Sequence, residues 1–233
     1  MFDLADHPVS RRWPAENPNI LQLYSFPTPN GVKAAIALEE LGLDYEPHRI
    51  TLSDADVKSP EYLALNPNNK IPAIIDPDGP GGQPMALFES GAILIYLAEK
   101  AGGRLLGEGA ARYQVIQWLM FQMGGIGPMF GQVGYFVKFK GREIEDPRPR
   151  ERYVTEARRL LNVVNGELKS RDWISGDYSI ADIAIAPWIR NLERYEALDL
   201  VGWDDFPALH AYLKRFLERP AVQRGLNIPP REV

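Results

Sequence analysis

The sequence contains no cysteine, and this absence removes several kinds of chemistry at once. The chain can form no disulfide, offers no thiolate to a metal ion and has no cysteine nucleophile. It has three histidines, His7, His48 and His210, which are too scattered along the chain to suggest the spacing of metal ligands. We therefore expect no metal site.

Long hydrophobic runs and an excess of positive charge are also missing. No segment reaches the roughly 18 apolar residues of a membrane span, and residues 1–19 carry charges and prolines instead of a signal-peptide core. The 26 basic and 31 acidic residues are well mixed, so no broad cationic surface is available for phosphates. The composition predicts a cytoplasmic protein that binds neither membranes nor nucleic acid, with a loose amino-terminal extension over residues 1–19.

The chain does have enough length and apolar content for one large domain or two smaller ones. Between residues 20 and 101 the hydrophobic period changes repeatedly, which is typical of alternating strands and helices. The order βαβ, short helix, ββα is predicted from ILQLY, NGVKAAIALEELG, HRITL, SPEYLALNP, IPAIID, PMALFE and SGAILIYLAEKAGG. The turn-rich DPDGPGG between the last two strands predicts an antiparallel hairpin.

Residues 108–233 show no strand pattern and are predicted to form an all-helical domain. Helices are predicted at ARYQVIQWLMFQM, PRERYVTEARRLLNVVNGELKS, SIADIAIAPWIRNLERY and FPALHAYLKRFLERP. The glycines of GGIGP, together with Pro128, are expected to bend or break the first of them. Ser179 and Asp182 form a capping box, which favours a role in folding over one in acid–base chemistry.

Two stretches of the first region suggest a binding site for a peptide-like ligand. A cis Ile71–Pro72 bond would expose the Ile71 N–H and C=O to a ligand, although Pro72 could also simply open a strand. Ser90 is placed as a helix N-cap, where N–H groups and the helix dipole attract a carboxylate, and Glu89 could bind an ammonium group. The pair fits an α-amino acid head group, and it equally fits a simple cap preceded by a solvated glutamate.

Four motifs carry a resemblance to a known family. LYSFPTPNGVK, PEYLALNPNNKIPAI, ALFESGAILIYLAEK and SIADIAIAPW resemble the cytosolic glutathione transferases, over essentially the whole chain after residue 19. TPNG, NPNNKIPA and LFESGAIL are most similar to the nu-class or disulfide-bond oxidoreductase branch, which is related to the glutathione-transferase-like nitrogen regulators of fungi. The resemblance implies a thioredoxin-like glutathione-binding domain at 20–101, an all-helical domain at 108–233 that shapes the second-substrate pocket, and a homodimer.

In a chain without cysteine, the resemblance places the reactive sulfur on bound glutathione. It implies that Thr28 and Asn30 contact that sulfur through a hydroxyl and an amide, although the same residues could merely start a helix. Such donors, with the N–H groups that open a helix, can lower the pKa of a thiol toward neutrality. Tyr24 is a rival hydroxyl, but its place in the strand alternation favours the core.

The resemblance also assigns the remaining contacts with glutathione. Ile71, with Pro72, binds its backbone, and Glu89 and Ser90 hold the γ-glutamyl group. Arg152 reaches a glutathione carboxylate from the helical domain, which suits the bidentate guanidinium, although an arginine at a helix start is often only a solvated charge. The chain departs from its relatives at DVK, residues 56–58, where a glutamine contact is often found.

Three functions are compatible with these residues. The leading interpretation is a glutathione-dependent disulfide oxidoreductase, whose ligands are glutathione or glutathione disulfide plus a small disulfide. The second is a transferase that conjugates or cleaves hydrophobic electrophiles, and the third is a non-catalytic regulator. The combination of Thr28, Asn30, Glu89 and Ser90 argues against the third, because a pure scaffold has no physical need for it.

Overall fold

The structure, a computed structural model, describes residues 4–232 and divides the chain into two compact units. The first unit comprises the chain up to Arg104 together with the segment from Pro220 onward, and the second comprises Leu105–Arg219. The first is an α/β unit and the second is helical.

The α/β unit is built on a four-stranded mixed sheet. Its elements are β1 (Leu21–Ser25), α1 (Gly31–Leu41), β2 (Tyr45–Arg49), α2 (Asp54–Val57), α3 (Pro60–Leu63), β3 (Ala73–Asp76), β4 (Met85–Phe88), α4 (Ser90–Lys100) and, at the end of the chain, α11 (Pro220–Gly225). The strand order is β2-β1-β3-β4, with β1 parallel to β2 and antiparallel to β3. This arrangement confirms the predicted thioredoxin-like fold.

Local sequence signals explain most boundaries in this unit. Helix α1 ends at Gly42, which has a φ of 65° and donates its N–H to the carbonyl of Leu38, as expected of a glycine just past a helix end. Strands β3 and β4 form the predicted antiparallel hairpin, with Ala73 opposite Phe88 and Asp76 opposite Met85.

Strand β2 lies earlier in the chain than predicted. The alternation in HRITL placed it at residues 48–52, whereas it ends at Arg49, and Leu52 is 56% exposed. The chain leaves the sheet because Thr51 donates both its N–H and its hydroxyl to the Asp56 carboxylate, at 2.9 and 2.6 Å. A pairing with Asp56 therefore outweighs the period-2 pattern of the sequence.

The prediction of a loose amino-terminal extension was wrong. Val9 is fully buried and Leu4 nearly so, and both belong to a hydrophobic cluster with Tyr24 and Tyr62 of the α/β unit. Short 3₁₀ turns at Leu4–Asp6 and Pro8–Arg11 shape the segment. Asp6 and Pro8 lie between these buried residues and most other charges and prolines of the segment follow Val9, so the average polarity of the segment concealed its apolar contacts.

The carboxyl-terminal residues also differ in placement from the predicted 108–233 domain. Residues 220–232 belong to the α/β unit, where α11 packs on α1. Arg231 donates to the carbonyl of Pro27 at 2.7 Å, and its own carbonyl accepts from the Arg49 guanidinium at 2.9 Å. Gly225 lies close to the backbone of Ile36. A Cβ added at position 225 would be 2.6 Å from the Cα of Ile36, which explains why a glycine is needed there.

The helical unit contains the remaining α-helices. They are α5 (Gly109–Phe121), α6 (Gly127–Val137), α7 (Arg148–Leu168), α8 (Ile180–Arg194), α9 (Leu198–Val201) and α10 (Pro207–Leu217). The glycine-rich GGIGP does not break the helical path of the chain. A π-helical turn at Gln122–Ile126 joins α5 to α6 and lets Pro128 enter at the first turn of α6, where a missing N–H costs little.

The predicted capping box at the start of α8 is confirmed. Ser179 accepts the N–H of Ala181, and the Asp182 carboxylate accepts the N–H of Ser179 and that of Ile174, both at 2.9 Å. Burial raises the pKa of Asp182 to about 6, against the lowering effect of these hydrogen bonds. Throughout residues 4–232, no helix combines the length and the apolar character that a bilayer crossing requires.

We expect Val9→Ala to lower the free energy of unfolding by about 1.5–3 kcal/mol, because it removes buried apolar surface and leaves a gap beside Tyr62. Urea unfolding followed by circular dichroism measures the change. Leu52→Ala is the matched control, since this side chain is exposed and its truncation should change stability little. A Val9→Ala variant as stable as the wild type would contradict the docking of the amino-terminal segment.

Candidate functional site

Strand register brings three of the sequence motifs to one end of the sheet. Ala73 pairs with Tyr24 on one side and with Phe88 on the other. The TPNG loop follows β1, the Ile71–Pro72 bond precedes β3, and Glu89 follows β4, so all three segments leave the sheet beside this row. Tyr24 and Phe88, which are 64 positions apart in sequence, therefore lie in the same row of the sheet.

The loop after β1 presents Thr28 and Asn30, both half-buried, at the start of α1. The Thr28 N–H donates to the carbonyl of Phe26 at 2.7 Å, and the Thr28 hydroxyl accepts the N–H of Gly31 at 3.1 Å. This hydrogen bond uses the hydroxyl as an acceptor, so its proton can still be donated to a ligand. Asn30 precedes the helix, and its side chain does not cap it.

Gly31 is required by the close packing of this loop on the strand. A Cβ at this position would lie 1.9 Å from the carbonyl oxygen of Phe26 and 2.7 Å from the hydroxyl of Ser25. The loop is thus held tightly against the end of β1, which fixes where the Thr28 hydroxyl lies.

The Ile71–Pro72 peptide bond is cis, as the sequence allowed, and both residues are buried. Lys70, directly before it, is held by two hydrogen bonds to its carbonyl, from the Tyr62 hydroxyl at 2.7 Å and from the Asn66 side chain at 2.6 Å. Asn66 is the first asparagine of NPNN, so the polar character of that motif serves to fix the segment that enters β3.

Glu89 and Ser90 are placed differently from the sequence prediction. Glu89 occupies the N-cap position of α4, with φ 75° and ψ 113°, and Ser90 is the first residue inside the helix. A non-glycine residue with such a positive φ carries backbone strain, which is typical of functional sites. The Glu89 side chain is exposed and makes no capping hydrogen bond to α4, and Ser90 is buried.

Lys33 was not identified from the sequence, although it lies against the same helix start. It is fully buried, and its Nζ donates to the Ser90 hydroxyl at 3.2 Å. Burial lowers the pKa of Lys33 to about 7, while the Glu89 charge raises it. A lone cation in the apolar run VKAAIAL was the available signal, since every residue from Gly31 to Leu38 is buried.

Two residues considered for the site, Tyr24 and Asp56, contact the amino-terminal segment instead. Tyr24 is fully buried, which confirms its prediction as core, and its ring stacks on His48 at 4.6 Å. Burial raises its pKa. Asp56, the first residue of the DVK stretch, forms an ion pair with Arg12 in addition to its hydrogen bonds from Thr51.

Arg152 lies on α7 in the helical unit and is exposed. It lines a cavity of about 850 Å³ within that unit. The other lining residues are Met129, Arg148, Glu151, Tyr153, Thr155 and Glu156. Four of the seven lining residues carry a charge. In the part of the chain that the structure describes, no three histidine, aspartate or glutamate residues converge as metal ligands would.

Two family models match the chain. The model described as "Glutathione S-transferase, N-terminal domain" matches residues 20–99, and "Glutathione S-transferase, C-terminal domain" matches residues 128–220. Among curated proteins, the disulfide-bond oxidoreductase YfcG of Escherichia coli (strain K12) is 44% identical over 209 residues. The match covers 89% of this chain and 94% of that protein.

Solved structures of two Pseudomonas proteins are similar over nearly the whole chain. A glutathione transferase family member from Pseudomonas fluorescens pf-5, with two glutathione bound, is 62% identical with a TM-score of 0.94, covering 96% of this chain and 100% of its own. A glutathione transferase from Pseudomonas putida, with one glutathione disulfide bound per subunit, is 62% identical with a TM-score of 0.96, covering 98% and 100%.

The strain at Glu89 predicts a difference between two substitutions. Glu89→Gly relieves the positive φ, whereas Glu89→Ala keeps a Cβ and hence the strain, so we expect the glycine variant to be more stable by about 1 kcal/mol after its larger unfolded-state entropy is subtracted. Parallel urea unfolding curves measure this difference. Glycine is also preferred over alanine at an ordinary N-cap, so equal stability of the two variants, or a more stable alanine variant, would show that Glu89 is not strained.

Proposed function

Because the chain belongs to the glutathione S-transferase family, we propose that it is an enzyme that reduces small disulfides with glutathione. The observation that carries the proposal is the meeting of the Thr28 loop with the start of α4 at one end of the sheet, in a chain without cysteine. The sulfur that reacts is then the sulfur of bound glutathione. The names and ligands of the similar proteins support this assignment.

In the proposed complex, the γ-glutamyl group of glutathione lies at the start of α4. Its carboxylate binds the Ser90 hydroxyl and the uncapped N–H groups of the helix, and its ammonium binds Glu89. The backbone of Ile71, next to Pro72, binds the peptide part of the ligand. Each of these groups has the charge or hydrogen-bonding capacity that its partner requires.

Thr28 and Asn30 act on the sulfur in this proposal. The Thr28 hydroxyl can donate its proton, since its acceptor side is occupied by the N–H of Gly31. The Asn30 amide and the first N–H groups of α1 add further donors. Together they stabilise the thiolate and lower the pKa of the glutathione thiol, which favours attack at neutral pH.

The reaction proceeds by two sulfur exchanges. The bound thiolate attacks one sulfur of the substrate disulfide, forms a mixed disulfide with it and releases the other half as a thiolate that takes a proton from solvent. A second glutathione thiolate then attacks the glutathione sulfur of the mixed disulfide. Glutathione disulfide forms, the second substrate thiol leaves, and no sulfur of the protein takes part.

The cavity of the helical unit carries the charged side chains of Arg148, Glu151 and Arg152. Their hydrogen-bonding groups suit a second polar ligand, such as glutathione disulfide. The guanidinium of Arg152 is exposed and suited to a carboxylate, and its role as a glutathione ligand stays a prediction.

The test is glutathione-dependent reduction of bis(2-hydroxyethyl) disulfide, coupled to glutathione reductase. We expect a rate well above the uncatalysed one and only weak conjugation of a chlorinated aromatic. Thr28→Ala and Asn30→Ala should each lower the rate, by about tenfold for every 1.4 kcal/mol of transition-state stabilisation lost. Asn162→Ala, at an exposed position of α7, is the matched control.

The two other functions give different results in the same assays. A rate equal to the blank together with rapid conjugation would identify a conjugating transferase. Bound glutathione without either activity would identify a regulator. Either result would overturn the oxidoreductase proposal.

We also propose that the protein is a cytoplasmic homodimer, as the family resemblance implies. Tyr113 is 71% exposed and Met120 is 49% exposed, and their spacing of seven residues places them on one face of α5. Such an apolar face is suited to a second copy of the chain.

Sedimentation at micromolar concentration should give twice the 26.2 kDa mass of one chain. Tyr113→Lys combined with Met120→Lys should shift the population toward the monomer, and a wild-type mass of 26.2 kDa would rule the dimer out.

A further inference from the structure

Lys33 is a fully buried lysine whose amine reaches the start of α4 from helix α1. Its Nζ lies 3.2 Å from the Ser90 hydroxyl oxygen, which joins two residues 57 positions apart. Burying a charged ammonium group costs free energy unless nearby groups compensate it. Its position beside the proposed binding site therefore requires a physical explanation.

The protonation of Lys33 depends on the charges at the start of α4. Helix α1 packs on α4, α11 and β1. The titratable or charged residues of these elements are Tyr96, Glu99 and Lys100 on α4, Arg224 on α11 and Tyr24 on β1. Helix α1 itself also carries Glu39 and Glu40. Tyr96 and Lys100 bind the Asp76 carboxylate, Arg224 pairs with Glu39, and Tyr24 lies in the cluster with Val9. Glu89 is the carboxylate whose charge acts on Lys33, and burial lowers the Lys33 pKa to about 7.

The protonation state of Lys33 determines how the Ser90 hydroxyl can be used. A charged ammonium group has three donors and no acceptor, so Ser90 must accept from it and direct its own proton elsewhere. A neutral amine can accept a hydrogen bond, so the Ser90 hydroxyl could instead donate its hydrogen bond to Lys33. Only the charged form of Lys33 therefore commits Ser90 to donate toward a ligand.

A ligand carboxylate at the start of α4 would favour that charged form. It adds a negative charge close to Nζ, and an opposite charge at short distance raises the pKa of an amine. Ligand binding and protonation of Lys33 would then support each other.

We propose that Lys33 is a positioning residue of this site, which takes up a proton from solvent when the ligand carboxylate binds and holds the Ser90 hydroxyl as a donor to that carboxylate. The inference rests on the proposed binding of glutathione. It adds a residue whose protonation is linked to ligand binding, which acts through Ser90 and does not contact the sulfur.

The test is calorimetric titration with S-methylglutathione, a probe without a thiol, so that sulfur ionisation cannot contribute protons. Titrations at pH 7.5 in phosphate and in Tris, buffers with different heats of ionisation, give the number of protons bound with the ligand. We expect uptake of up to about three quarters of a proton per site in the wild type, because a Lys33 pKa near 7 leaves roughly a quarter of the amines protonated at pH 7.5 before the pKa rises on binding.

Three variants assign the proton. Lys33→Met should abolish the uptake and weaken binding by about tenfold, the loss of one charge-assisted hydrogen bond. Lys33→Arg keeps a charged donor at every pH, so it should retain more affinity and yet show no uptake. Lys214→Met, on the exposed face of α10, is the control and should behave as the wild type. If Lys33→Met does not fold, as judged by circular dichroism, the wild type and Lys33→Arg still decide the question.

The outcomes separate this inference from the proposed function. Wild-type binding without proton uptake, or uptake that persists in either Lys33 variant, would overturn the role of Lys33 and leave glutathione binding intact. No binding of S-methylglutathione or glutathione to the wild type would contradict both.

Discussion

The register of three neighbouring strands determines the whole candidate site of the α/β unit. Ala73 lies between Tyr24 and Phe88, so the three segments that leave the sheet beside this row meet at one edge. A slip of one residue in β3 would turn its side chains to the other face and move Pro72 away from the start of α4. Buried side chains throughout β1 and β3 oppose such a slip. The apolar core therefore sets the geometry of the polar site.

Signals within a few residues made part of this structure predictable. Gly42 ends α1, Ser179 and Asp182 cap α8, and the glycine-rich turn closes the β3–β4 hairpin, as the sequence indicated. Each depends on hydrogen bonds between residues close in sequence, whose preferences do not require contacts with distant parts of the chain. The thioredoxin-like order of strands and helices follows from the same local patterns.

Features that depend on distant contacts could not be predicted in this way. Val9 is buried against Tyr62, more than 50 residues away, inside a segment whose charges suggested a solvated arm. Asp56 ends β2 early by binding Thr51, and Lys33 meets Ser90 across 57 residues. In the candidate site, residue types indicated the partners of a ligand, but which group lies inside the helix and which lies before it required the structure.

The starts of α4 and α8 show two solutions to the same physical problem. Helix α8 satisfies its first N–H groups with Ser179 and Asp182, the arrangement that stabilises a helix most directly. Helix α4 receives no capping hydrogen bond from the side chain of its N-cap Glu89, whose backbone is strained, and it lies against the buried amine of Lys33. Each of these three features lowers the stability of the unliganded fold, and an anion at the helix start would offset two of them by accepting from the N–H groups and by compensating the charge of protonated Lys33. Since α8 shows that this chain can build a well-capped helix, the start of α4 is better explained by the binding of a carboxylate than by the requirements of folding.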